Sequence, residues 1–206
     1  MSRFQLDLSN EQMLAQKLDE IYDELGFQCV RIDNLEQQYQ GIDIILKHDG
    51  INYAIDEKAQ LHYLNKDLPT FTFELSYKNQ NRDLRSGWLF DEHKLTEYYF
   101  LITGIEARTP ITTSTDFKSL KITSVNRQKL IDLLESDCDL NESKLAKYDS
   151  ELRSNRAFGK EPINELNAST EGALYHTEHL AEQPINIQLR LEFLIRSGVG
   201  KRIWPV

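Results

Sequence analysis

The stretch Gly41–Gln60, GIDIILKHDGINYAIDEKAQ, constrains the fold of this chain more than any other. Ile42, Ile44, Ile45 and Leu46 make an apolar run, and His48-Asp49-Gly50 is turn chemistry. Ile51 to Gln60 then alternates with the period of a strand. Successive strand side chains point to opposite faces, so Asp56, Lys58 and Gln60 share one face. Asp43 lies on the strand before. Antiparallel pairing brings it within a few ångströms of Asp56 and Lys58.

Two carboxylates at one strand edge can hold a divalent cation, and Mg²⁺ takes oxygen ligands while keeping several waters. A lysine beside them can orient or help deprotonate a water, or stabilise developing negative charge. A metal at such a place lowers the pKa of a bound water and neutralises a phosphoryl oxygen. Two acids and one lysine are therefore suited to cutting a phosphodiester.

The arrangement resembles the PD-(D/E)XK nuclease superfamily, the restriction-endonuclease-like fold. Asp43 matches the first acid of its pattern, Asp56-Glu57-Lys58 matches (D/E)-x-K, and Gly41-Ile42-Asp43 is similar to the G-x-D form of Mrr-like members. Ile42 stands where the pattern has proline. The resemblance implies an αβββαβ core with a mixed central sheet flanked by helices. It also implies Mg²⁺ or Mn²⁺ on Asp43 and Asp56, with the backbone carbonyl of Glu57 completing the shell. Lys58 then activates the attacking water, and Gln60 positions it or a substrate group. Some members add an acid from the first helix. Among Glu11, Glu20 and Glu24, Glu20 is the favoured candidate, and Gln16 sits where such an acid is expected. The plainer alternative is that these residues form the solvated face of the helix.

The order of elements fits this core in its first half. Ser9 or Asn10 is the expected cap of a helix whose stripe is Met13, Leu14, Leu18, Ile21, Tyr22 and Leu25, ended by Gly26. Phe27 to Ile32 reads as a strand, with Cys29 as a small buried hydrophobe. Residues 34–40 read as a polar loop, and 61–70 as irregular. Phe71–Tyr77 alternates strictly and Thr96–Glu106 is aromatic and β-branched, so both read as strands. With Trp88–Phe90 they are expected to form one added hairpin or sheet extension. Further on, 120–125 reads as a strand, 126–135 and 142–156 as helices, and 157–170 as irregular. Pro184 to Phe193 reads as a strand running into a helix that Gly198 ends.

The segment Lys78–Ser86, KNQNRDLRS, is net basic and precedes Trp88. Lys78, Arg82 and Arg85 are its candidate phosphate contacts, with the aromatic available for base stacking. The alternative is a solvated loop with Trp88 returned to the core.

Length suits one domain over 1–206, with the core at about 9–135 and a C-terminal extension at about 136–206. Two cysteines, Cys29 and Cys138, make no disulfide framework or zinc spacing. No apolar run approaches a membrane span, and Met1-Ser2-Arg3-Phe4 lacks the apolar stretch of a signal peptide. A cytoplasmic chain with no membrane partner is expected. The formal net charge of −9 argues against a broad basic surface for nucleic acid.

The sequence therefore predicts a metal-dependent nuclease acting on nucleic acid, with DNA favoured over RNA and a homodimer left open. One alternative is a nuclease-like fold without activity that serves as a binding module. Another is an unrelated α/β protein in which Asp56 and Lys58 are an ordinary ion pair.

Overall fold

The computed structural model describes residues 3–205, with side chains from residue 8 onward. The expectation that concerns Met1 and Ser2 lies outside the described residues. In chain order the elements are α1 (Arg3–Glu24), β1 (Gln28–Arg31), α2 (Leu35–Tyr39), β2 (Ile44–His48), β3 (Ile51–Ala59), β4 (Thr70–Lys78), β5 (Leu84–Ser86), β6 (Tyr98–Ala107) and β7 (Phe117–Asn126). Then follow α3 (Arg127–Asp132), α4 (Glu142–Asn155), β8 (Gly159–Glu161), β9 (Gly172–His176), β10 (Ile185–Arg190), α5 (Leu191–Arg196) and β11 (Gly200–Trp204). The fold is mixed α/β, and its strands form two sheets.

The chain divides into two compact units. Unit 1 comprises 1–68, 95–124 and 202–206, and unit 2 comprises 69–94 and 125–201. Unit 1 carries the six-stranded sheet in the order β1-β2-β3-β6-β7-β11. β1, β2 and β3 form an antiparallel meander, and β6 runs parallel to β3, so this sheet is mixed.

The hairpin between β2 and β3 has the predicted turn. His48 pairs with Ile51, leaving Asp49 and Gly50 as a two-residue loop, with φ of 50° and 79°. Two successive positive φ values match the right-handed strand twist, which is why Asp-Gly is favoured there. The apolar stripe of α1 lies on the sheet: Leu14, Leu18, Ile21 and Tyr22 pack in one buried cluster with Ile44, Leu46, Ile55, Phe100 and Ile102.

Unit 2 carries the five-stranded sheet β5-β4-β10-β9-β8, antiparallel at every pair. The expected strand running into a helix is found at β10 and α5, which follow one another directly.

Several expectations are corrected. The first helix begins at Arg3, well before the expected cap at Ser9 or Asn10; no Gly or Pro in 3–8 stops it. The polar 34–40 segment holds a helical turn whose start Asn34 caps by accepting from the Gln37 N–H at 3.1 Å. Trp88–Phe90 is a turn. Phe71–Tyr77 and Tyr98–Ile105 do not form one extension: the first lies in the five-stranded sheet and the second in the six-stranded sheet. Residues 159–161 and 200–204 add strands where none was expected.

Ile102 is wholly buried in the unit 1 cluster, whereas Ile51 is 55% exposed. Ile102→Ala is expected to cost about 2–5 kcal/mol through lost transfer energy and the cavity left behind. Ile51→Ala should stay within about 0.5 kcal/mol. Urea unfolding of both variants beside wild type checks this contrast.

Candidate functional site

Asp43 precedes β2 at a bend, and Ile44 is the residue registered with Ile55. The Asp43 N–H nevertheless donates to the same Ile55 carbonyl at 2.9 Å. The Asp43 carboxylate is held at Oδ2, which accepts from the Glu57 N–H at 2.8 Å.

On β3 the alternation separates Asp56 and Lys58 from Glu57. Asp56 is only 2% exposed, and Lys58 Nζ lies 2.7 Å from its Oδ1. Burial pushes the Asp56 carboxyl up to about 7; Lys58 opposes the rise and the negative charge of Asp43 adds to it. Asp43, Asp56 and Lys58 are thus brought together at one end of β3.

Glu57 points the other way, toward α1. Tyr22 Oη donates to its Oε1 at 2.6 Å, and Arg31 Nη1 donates to its Oε2 at 2.7 Å. Arg31 also donates from Nε to Asp19 Oδ2 at 3.1 Å and from Nη2 to the Ala15 carbonyl at 2.9 Å. Burial raises the Glu57 carboxyl, against the pull of Arg31. Burial, then the charge of Glu57, raises the Tyr22 hydroxyl well above its ordinary value. The Glu57 side chain is therefore occupied, and only its backbone belongs to the Asp43 end.

Gln60 does not continue the Asp56–Lys58 face by alternation. β3 ends at Ala59, and Gln60 has φ −84° and ψ 52°, off the extended conformation, at the start of a 3₁₀ turn. Its N–H donates to the Ile102 carbonyl at 3.0 Å.

Glu20 is drawn elsewhere: Oε2 pairs with Lys17 at 2.8 Å and Oε1 accepts from Ser114 Oγ at 2.9 Å. The hydrogen bond from Lys17, then that from Ser114, lowers its pKa. Of the three first-helix acids weighed from sequence, Glu11 lines a cavity of about 470 Å³ together with Asp43 and Glu57. Arg31 and His62 also line it, whereas Asp56 and Lys58 do not. Sequence reasoning passed over Tyr22 and Arg31. The only signal for Arg31 was a charged residue closing an otherwise ordinary strand.

In unit 2, Lys78 and Arg82 line one cavity, and Arg85 lines a second. Arg85 lies 3.6 Å from Asp83 on an exposed strand. The three cations of the basic segment thus line two different cavities. Cys29 is half-buried against the unit 1 cluster, and burial pushes its thiol up to about 11, which keeps it protonated and unreactive.

Among the described residues, no group of three or more His, Cys, Asp or Glu is arranged to hold a metal ion, and no helix is long and apolar enough to cross a membrane. Comparison of the chain with protein-family models, curated proteins and solved structures found no match.

The Asp56 carboxyl has a folded value above its unfolded value of 3.8. The folded protein therefore keeps this proton between about pH 4 and 7, where the unfolded chain has released it, and stability falls as pH rises through that window. Asp56→Asn removes the titration. Its stability should match wild type near pH 4 and exceed it at pH 8 by an amount on the order of 4 kcal/mol at most. Urea unfolding at the two pH values reads the gap directly; a gap that stays constant would show that Asp56 ionises as an ordinary carboxylate.

Proposed function

We propose that this chain is a metal-dependent phosphodiesterase of nuclease type. The observation that carries the reading is the buried Asp56 carboxylate, paired with Lys58 at 2.7 Å and close enough to Asp43 to feel its charge. The order α1-β1-α2-β2-β3, in which the short α2 lies between the first two strands, and the mixed sheet support a restriction-endonuclease-like core, as the resemblance implies. The chain departs from the αβββαβ order after β3, because residues 69–94 of unit 2 intervene before β6.

The residues fit Mg²⁺ or Mn²⁺ in donor chemistry. Two neighbouring carboxylates offer only oxygen, and Mg²⁺ is commonly held by one or two carboxylates with water and phosphate oxygens filling the rest. Asp43 and Asp56 would hold it. When bound, the metal supplies Lewis-acid stabilisation of phosphoryl oxygens and a lowered pKa for a bound water.

The protein's own contributions follow from the geometry. The Glu57 N–H fixes the Asp43 carboxylate through Oδ2. Lys58, 32% exposed, reaches solvent from beside Asp56, so its ammonium can contact a phosphate oxygen or orient a water toward phosphorus. The burial that raises the Asp56 carboxyl also strengthens every charge interaction it makes. DNA is the substrate we favour, and the acidic chain points to recognition by local contacts rather than a broad basic surface.

The test is cleavage of plasmid, linear and single-stranded DNA and of RNA with Mg²⁺ or Mn²⁺, beside Lys58→Ala and Asp56→Asn checked for folding by circular dichroism. Metal-dependent cutting should fall about 10²-fold or more in each folded variant. Mg²⁺ should also raise the melting temperature of wild type at pH 8 and leave Asp56→Asn unmoved. Equal cutting by all three proteins, or an equal Mg²⁺ shift in wild type and variant, would sink the assignment.

A further inference from the structure

Unit 2 contains a cavity of about 380 Å³ with an unusual lining for so acidic a chain. Four cationic side chains reach it, Lys78, Arg82, Arg153 and Arg156, against a single carboxylate, that of Glu178. These cations are not equally committed. Arg153 is used in the structure: Nε donates to Asp149 Oδ1 at 2.9 Å, Nη1 to the Gln183 carbonyl at 3.0 Å and Nη2 to Ser76 Oγ at 2.7 Å. Lys78 Nζ meets only the neutral Gln183 Oε1, at 3.0 Å. Among the described residues, neither Arg82 nor Arg156 has an ion pair or a side-chain hydrogen bond. Both sit at left-handed backbone positions, φ 66° and 50°, the second capping α4.

The cavity also holds a histidine that the protein leaves half-satisfied. His176 is 2% exposed. Its Nδ1 lies 2.7 Å from the Ala157 carbonyl, an acceptor, so Nδ1 carries the hydrogen. Its Nε2 is buried with no partner. A buried polar atom without a partner costs about 1–3 kcal/mol, and His176 is among the residues that line the cavity. Phe158 packs its ring against the imidazole at a centroid distance of 4.5 Å and adds an aromatic surface to the same wall.

We propose that this cavity binds a nucleoside monophosphate. The phosphate sits on Arg82, Arg156 and Lys78, a ribose hydroxyl or base amine donates to His176 Nε2, and the base lies against Phe158. A volume of about 380 Å³ falls in the range of small-molecule sites. Guanidiniums suit phosphate because they donate two parallel hydrogen bonds. The site stands independently of the hydrolysis proposed above, since every residue it uses belongs to unit 2.

The experiment is calorimetric titration of the full chain with AMP, adenosine, glucose 6-phosphate and inorganic phosphate. Arg82→Gln with Arg156→Gln serves as the variant, the glutamines keeping the same backbone demand. AMP should bind best, and the double variant should weaken it about tenfold or more. Binding of AMP that is no tighter than that of phosphate or adenosine, or that the variant leaves unchanged, overturns the proposal. If glucose 6-phosphate binds as well as AMP, the Phe158 contact is unused and the nucleotide assignment fails. A second readout needs no variant: the ¹⁵N signal of His176 Nε2 should move on adding AMP and stay in place with phosphate alone. A signal that stays in place with AMP also refutes the proposal.

Discussion

The geometry of unit 1 hangs on the Arg31 guanidinium. It leaves the end of β1 and reaches Glu57 on β3 and both Asp19 and the Ala15 carbonyl on α1. Glu57 is half-buried, and burial alone would favour its neutral form. Arg31 and the Tyr22 hydroxyl satisfy it from two sides. Removing one partner leaves the other without its charge-assisted hydrogen bond, at a cost of about 1.5–3 kcal/mol. The residue so anchored is the middle one of Asp56-Glu57-Lys58. Holding Glu57 toward α1 obliges its two neighbours to point the other way, and its N–H holds Asp43. The structural ion pair and the candidate site are thus opposite faces of the same three residues.

Much of this was legible because it is local. The Asp-Gly turn, the apolar stripe of α1 and the alternation of β3 are each written within a few residues. Parity alone separates Asp56 and Lys58 from Glu57. What occupies Glu57 was not legible, because Tyr22 and Arg31 lie far from it in sequence, and the helical stripe that includes Tyr22 says nothing of what its hydroxyl meets. Gln60 shows the limit of alternation: the rule holds only as far as the strand, and the backbone turns at that residue. The grouping of strands shows another limit. Phe71–Tyr77 and Tyr98–Ile105 have the same aromatic alternation, and nothing local says that they enter different sheets.

The basic segment divides in the same way. Its charge is visible in the sequence, but its grouping is set by residues far along the chain. Arg153 and Arg156 come from the end of α4 and His176 from the end of β9, and together they select Lys78 and Arg82 and leave Arg85 aside. The sequence marked only the 78–86 segment as net basic, and the fold decides which of its cations share a cavity.

The two units are interleaved along the chain. It passes from one to the other at residues 68–69, 94–95, 124–125 and 201–202. The last crossing falls inside β11, with Gly200 and Lys201 in unit 2 and Arg202–Trp204 in unit 1. Neither unit can be cut out as one continuous fragment, so a deletion meant to isolate either one breaks both.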